Sequence, residues 1–326
     1  MRSRQDKIKS LLIIWAIFLI FLGCTIFVLV KAIMSEINKV DSAVHVNLAA
    51  ELDETIPFDA DYSIKGMIED NYVKYLHMAY IVLGEYPDCR LVKISANVAR
   101  NDYNWKEEFY CPDGELYWRR YKDGNPEGRI AIDVSEYQNN IDWPAVKAAG
   151  VDVAIVRAGY RGWGESARLV PDTNFDQNMQ GAADAGIETG VYFFSEAVNR
   201  DEGVEEAEYV LSMVQGYNVT QPIVIDTEYI YDTEGVRAND ISAEDRTAAV
   251  VGFCETIKAA RYTPMIYASR DQFIFNLDID AIGDYEFWLA CYDTPNFPYH
   301  SEGYQYSPYG LVSGIEGNVE LDVWMR

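Results

Sequence analysis

Histidine is almost absent. Only His45, His77 and His300 occur in 326 residues, so an imidazole-rich metal centre, or a serine or cysteine nucleophile served by a histidine, would have to be built around His300 alone. The residue set argues against both, and neither a cofactor nor a resident metal is expected. Basic charge is scarce as well: 27 lysines and arginines face 52 aspartates and glutamates, a formal net charge of -25. Residues 1 to 31 hold five of the basic side chains (Arg2, Arg4, Lys7, Lys9, Lys31) and one acid, Asp6, which leaves a body of 22 basic and 51 acidic groups and a net of -29. A surface so negative repels phosphate backbones, so nucleic acid is not an expected partner.

Apolar residues, by contrast, make up 49% of the chain and aromatic ones 13%, enough for one large domain with something smaller beside it and too much for a disordered chain. The chain opens with a basic segment, residues 1–10. About twenty nearly unbroken apolar residues follow, Leu11 to Val30, long enough for a helix to cross a bilayer. Basic residues before the run and acidic ones after Lys31 predict a single-pass anchor in the cell membrane, with the N-terminus cytoplasmic and the rest outside. A cleaved signal peptide is the competing reading. No small-x-small site ends the run, and the faint lipoprotein-like Leu22-Gly23-Cys24 is followed by further apolar residues.

Over residues 31–55 the apolar positions Ile33, Ile37, Val40, Val44 and Leu48 recur at three- and four-residue steps, a helical stripe. It suits a short coiled-coil stalk through which the chain would self-associate, or a helix leaning on the next domain. Residues 56–124 read as a small α+β domain of unknown role: spacer, wall-binding unit or docking unit for envelope partners. Its helical face runs through Ile68, Tyr72, Tyr75, Leu76, Ala79 and Leu83, and Val92 to Val98 alternates as a strand should. Trp105 to Tyr110 and Glu115 to Tyr121 read as two more strands. Cys89 and Cys111 would meet oxidising conditions outside the membrane, and both a bridge and two separate thiols remain open.

Asp123 to Gly128 is turn-rich and reads as a linker, after which strand-like runs alternate with helical patterns about five times. Three further strands close the chain: Phe287 to Tyr292, Gly303 to Tyr306 and Val319 to Trp324. Repeated right-handed βαβ units of this kind predict an α/β fold, a (β/α) barrel over 125–326 with its last helices eroded, of the irregular (β/α)5(β)3 type. In such barrels the reacting groups lie at the carboxyl ends of strands. One strand, Pro222-Ile-Val-Ile-Asp-Thr-Glu228, ends in two carboxylates. Asp226 and Glu228 stand two apart, so in a strand they share one face at roughly 6.5 Å. Asp133 ends the first strand, and the last carries Glu320 and Asp322. Five acids among the aromatics Tyr160, Trp163, Tyr192, Tyr229, Trp288, Tyr292 and Tyr306 suit the gripping and cleavage of a sugar chain. A hard-cation site from the same acids is the other reading.

Residues 129 to 326 resemble the catalytic domain of glycoside hydrolase family 25, the N-acetylmuramidase type of lysozyme. The resemblance rests on Ile132-Asp133-Val134-Ser135 with Gln138, Val156-Arg157-Ala158-Gly159-Tyr160, Gly190-Val191-Tyr192-Phe193-Phe194 and Ile225-Asp226-Thr227-Glu228. It continues through Tyr267-Ala268-Ser269, Trp288-Leu289-Ala290 with Tyr292, Gln305-Tyr306 and Gly314 to Trp324. It implies peptidoglycan glycan strands as substrate, cut after N-acetylmuramic acid, with Glu228 as general acid and Asp226 orienting the substrate's own N-acetyl nucleophile. Asp133 and Glu320 complete the implied catalytic set, and Tyr160, Tyr192, Tyr229, Trp288, Tyr292, Gln305 and Asp322 the sugar contacts. Two departures stand out. The family usually has Val-Asp-Leu-Asn or Val-Asp-Leu-Asp where this chain has Val319-Glu320-Leu321-Asp322, and Tyr304 replaces a common tryptophan. A barrel that binds glycan without turnover is therefore the alternative. A chitinase-like barrel is disfavoured, because Val224 stands where its acidic motif needs an aspartate.

Overall fold

The computed structural model describes residues 79–83, 90–164, 166–293 and 295–326, all within one compact unit, Val73–Arg326. The expected membrane span, the stalk, Cys89 and most of the helical face before Leu83 lie outside the described residues. Among the described residues no helix is long and apolar enough to cross a membrane.

The first described element is a strand where the periodicity predicts helix. In β1 (Tyr80–Leu83) the run Tyr-Ile-Val-Leu is aromatic and β-branched, which suits a pleated surface, and it pairs antiparallel with β2 (Arg90–Lys93). The expected continuation of β2 to Val98 does not form. Ser95 and Asn97 instead hydrogen-bond Asp280, 3.3 Å from the Asn97 amide. Trp105 to Glu108 is likewise not a strand but a short helix, α1 (Trp105–Glu108). Asn104 caps it reciprocally, accepting from the Glu107 N–H at 3.3 Å and donating to the Glu107 carboxylate at 2.8 Å. Then β3 (Phe109–Tyr110), β4 (Arg119–Lys122) and β5 (Asn125–Glu127) form an antiparallel sheet. Asp123 and Gly124, at φ 50° and 78°, make the two-residue hairpin turn of β4 and β5, so the turn-rich stretch is a hairpin in the structure.

Eight strands close the barrel: β6 (Arg129–Val134), β7 (Val153–Arg161), β9 (Glu188–Phe194), β10 (Ile223–Asp226), β11 (Pro264–Ser269), β12 (Glu286–Ala290), β13 (Gly303–Gly310) and β14 (Val319–Trp324). A short β8 (Leu169–Pro171) hangs on the edge of β7. β6, β7 and β9 to β13 pair in parallel round the barrel, whereas β14 runs antiparallel to both neighbours, β13 and β6. Helices α2 (Trp143–Ala148), α3 (Phe175–Asp184), α4 (Arg200–Met213) and α5 (Ala243–Ala259) follow β6, β7, β9 and β10, and two short ones, α6 (Arg270–Phe275) and α7 (Ile279–Ile282), follow β11. Side-chain caps start them where the sequence supplies Asp142, Asn199, Ser242 and Ser269. After β12 and β13 no helix stands among the described residues.

Alternation along each strand sorts two cores. Outward residues such as Ile132, Val156, Val191, Ile225 and Leu289 pack under the helices. Inward residues Ala131, Val153, Ile155, Val224, Met265, Trp288 and Trp324 fill the barrel. Gly303 is what lets two indoles share that space, since a Cβ there would stand 2.7 Å from both Trp288 and Trp324. Each indole N–H is satisfied, Trp288 by Asp322 at 2.8 Å and Trp324 by Gln221 at 2.9 Å.

Candidate active site

Climbing the same inward faces, apolar side chains give way to polar ones: Ala131 to Asp133, Ile155 to Arg157, Val224 to Asp226 and Gly303 to Gln305. They open into a cleft of about 350 Å³ whose lining includes Asp133, Asp226, Glu228, Glu320, Arg157 and Gln305. β10 ends at Asp226, so Glu228 lies beyond the strand and not within it. The extended track nonetheless continues. Ser195 N–H donates to the Asp226 carbonyl at 2.8 Å and Thr227 N–H to the Tyr267 carbonyl at 3.1 Å, which keeps Glu228 on the face of Asp226. The reversed direction of β14 matters equally. Glu320, near its start, pairs across from Asp133 at the end of β6 and so reaches the same rim.

The remaining inferred residues divide. Tyr192, Trp288, Tyr292 and Gln305 line the cleft. Asp322 does not: two residues deeper than Glu320, it is 0% exposed beneath the floor, held by the Trp288 N–H. Tyr229 is 41% exposed and packs on Tyr231, ring centres 4.8 Å apart, away from the lining. Tyr160 also stands outside it, its ring 5.6 Å from the Arg157 guanidinium. Arg157 and Tyr267 line the cleft although the sequence reading gave them no role, and their places two residues beyond the inward-facing Ile155 and Met265 on β7 and β11 were the available signal. Asp172 at 2.7 Å and Glu136 at 3.1 Å hold Arg157, with Tyr137 under its guanidinium. Among the described residues no group of three or more metal-ligating side chains is arranged to hold an ion.

Electrostatics favour protons in this cleft. Burial raises the pKa of Glu228, the neighbouring phenol of Tyr267 opposes, and the charge of Glu320 adds to the rise. Asp226 is pushed well above the usual carboxylate range by burial and then by Glu228. Asp133 is raised by burial, then by Glu320 and Asp322, against the amide of Gln305. Glu228 keeps part of its surface open to the cleft, while Asp226 is buried and its Oδ1 has no partner within the protein. A partly exposed acid whose pKa is raised, beside a second carboxyl on the same cleft wall, is equipped to protonate a leaving oxygen while a neighbouring N–H is held.

Comparison with known proteins matches residues 132–315 to the family model described as glycosyl hydrolases family 25. Over 193 residues the chain is 27% identical to an autolytic lysozyme of Clostridium acetobutylicum, a match covering 59% of this chain and 54% of that protein. It is 28% identical over 211 residues to lysozyme M1 of Streptomyces globisporus, covering 59% of this chain and 66% of that protein. The chain thus spans between about half and two thirds of the length of these relatives. The modular autolysin LytC of Streptococcus pneumoniae, solved with a synthetic peptidoglycan ligand, shares the fold with a TM-score of 0.56 at 24% identity, over 66% of this chain and 52% of that one. The lysozyme of Streptomyces coelicolor superposes with a TM-score of 0.50 at 25% identity, over 60% of this chain and 92% of that one.

Proposed function

The chain belongs to glycosyl hydrolase family 25, and from that premise we propose that it is a peptidoglycan hydrolase of the N-acetylmuramidase type, cutting the β-1,4 bond between N-acetylmuramic acid and N-acetylglucosamine. The observation that carries this reading is the convergence of Asp226 and the partly exposed Glu228 with Asp133 and Glu320 on the wall of one cleft. A carboxylate at such a wall accepts from a donor that a ligand brings. The N–H of the substrate's 2-acetamido group is such a donor. Held by Asp226, the acetamido carbonyl oxygen attacks the anomeric carbon while Glu228 gives its proton to the departing oxygen. Glu228, now a carboxylate, then takes a proton from water, which opens the cyclic intermediate and restores the sugar. Asp133 and Glu320 steady the charge of this centre, and Tyr192 and Tyr292 hold the sugar faces, whereas Trp288, 1% exposed, supports the floor from within the barrel core instead of meeting the sugar.

The apolar run 11–30 would tether this enzyme as a single-pass protein with the barrel outside the cell membrane, residues 31–55 serving as stalk and the segment before 125 as spacer or partner-binding unit. Glu320, where the family usually has aspartate, motivates the second reading, a glycan-binding barrel without turnover. One experiment separates them: release of reducing ends from purified peptidoglycan by the full chain and by Glu228→Gln. The enzyme reading expects the variant slower by about 10²- to 10⁴-fold. A wild type no faster than the variant favours the scaffold. Mass spectrometry of borohydride-reduced products should give muramitol ends, and glucosaminitol ends would refute the bond assignment.

A further inference from the structure

Of the two amides that line the cleft, Gln138 and Gln305, it is Gln305 that donates to one of its carboxylates. Gln305 is 2% exposed, and its Oε1 accepts two phenolic O–H donors, Tyr267 at 2.7 Å and Tyr292 at 2.6 Å. Its Nε2 donates to Asp133 Oδ2 at 2.8 Å. The main chain beneath is fixed by pairing with Ala290 and Asp322 and by the Cys291 N–H on its carbonyl at 3.1 Å. This orientation of the amide suits an ionised Asp133. Turned over, it would present a carbonyl oxygen to Asp133, tolerable only if Asp133 carried a proton there. We propose that Gln305 is a positioning residue, orienting Asp133 through its Nε2 and the hydroxyls of Tyr267 and Tyr292 through its Oε1, and does not act as a sugar contact. The proposal rests on the muramidase reading for its kinetic consequences but not for its geometry.

Those consequences follow from what faces each group. Asp133 is faced by Glu320 and Asp322 from β14, Asp226 from β10 and Tyr192 from β9, all acidic, so Gln305 is the group that favours its ionised form. Tyr267 stands between Gln305 and Glu228. Without the amide carbonyl, its O–H is released to turn to Glu228 on the same cleft wall and favours loss of the proton the acid must keep. Removing the amide therefore makes Asp133 harder to ionise and Glu228 easier. The pH–rate profile should narrow from both sides.

The test compares the full chain with Gln305→Leu and the nearly isosteric Gln305→Glu on purified peptidoglycan, following kcat and KM across pH. Gln305→Leu should lose about 10- to 100-fold in kcat with KM within about twofold. Its acid limb should move up and its basic limb down. Gln305→Glu keeps an acceptor for the phenols and, when protonated, a donor for Asp133, so it should recover activity on the acid side only. Carboxyl 13C NMR, with Asp133 assigned by its loss in Asp133→Asn, reads the same effect without turnover: Asp133 should titrate at higher pH in Gln305→Leu than in wild type. A loss confined to KM with unmoved limbs, or an unmoved Asp133 titration, overturns the proposal. An inactive wild type whose Asp133 titration still shifts on substitution overturns the muramidase reading and upholds the role of Gln305.

Discussion

At the scale of single residues, Glu320 shows how one carboxylate can tune others without delivering a proton. It lies across from Asp133 at the mouth of the cleft, and its charge helps raise Glu228, Asp133 and Asp322. Glu320→Gln keeps size and removes that charge, so Glu228 should give up its proton at lower pH. Because the acid must be protonated to assist departure, the basic limb of kcat/KM should shift to lower pH. A basic limb that stays in place or rises would contradict the assigned influence. Glu320→Asp is a different test: it keeps the charge and shortens the arm to the family's usual length. Activity at the optimum equal to or above wild type would indicate that the extra methylene is tolerated rather than needed.

Among elements, the joint of β7, β9 and α4 carries a buried charge outside the cleft. Glu206 of α4, 0% exposed, accepts from Ser195 Oγ at 2.6 Å just past β9 and from Arg161 Nε at 2.7 Å at the end of β7. Burial raises its pKa to about 7, against those two hydrogen bonds. A carboxyl raised on folding binds its proton more tightly in the native state. Its contribution to stability is thus full below its unfolded pKa near 4.5 and is lost as pH rises through about 7. Urea unfolding of Glu206→Gln should give a stability that depends less on pH across that window than wild type. An unchanged slope would mean that Glu206 is ionised throughout, paired with Arg161. Element order was largely legible in the sequence because buried strands write themselves as runs such as Pro222-Ile-Val-Ile and helices announce caps such as Ser242. Asp226 and Glu228 were legible for the same reason, as acids abruptly ending such a run. Direction and depth were not. Nothing in Val319 to Trp324 states that β14 runs backwards, and only that reversal lifts Glu320 to the rim while Asp322 sinks below the floor. The part played by Gln305 depends on registers among β6, β11, β12 and β13, contacts spanning up to 172 residues that no local pattern encodes.

On the scale of the whole molecule, residues 101–118 cover a face that the barrel leaves without helices after β12 and β13 among the described residues. Tyr304, on the outer side of β13, meets Trp105 and Phe109 with ring centres 5.2 and 5.5 Å apart, and Tyr306 stacks on Trp118 at 5.0 Å. Polar contacts lock the same seam. Trp105 Nε1 donates to the Phe297 carbonyl at 3.0 Å, Asn101 Nδ2 to the Phe297 and Tyr299 carbonyls, and Tyr103 OH to the Ser301 carbonyl at 2.8 Å. Aromatic burial of this kind stabilises a domain far more than a surface tether does. Trp105 is only partly buried, so Trp105→Ala should cost about 2–3 kcal/mol, somewhat below the loss for a fully buried tryptophan. The shape of the transition discriminates more sharply than its midpoint. If residues 90–127 and the barrel unfold as one cooperative unit, the variant should shift a single urea transition without changing its slope. A second transition, with wall hydrolysis surviving the first, would instead mark the segment as a separable module resting on a barrel that is complete without it.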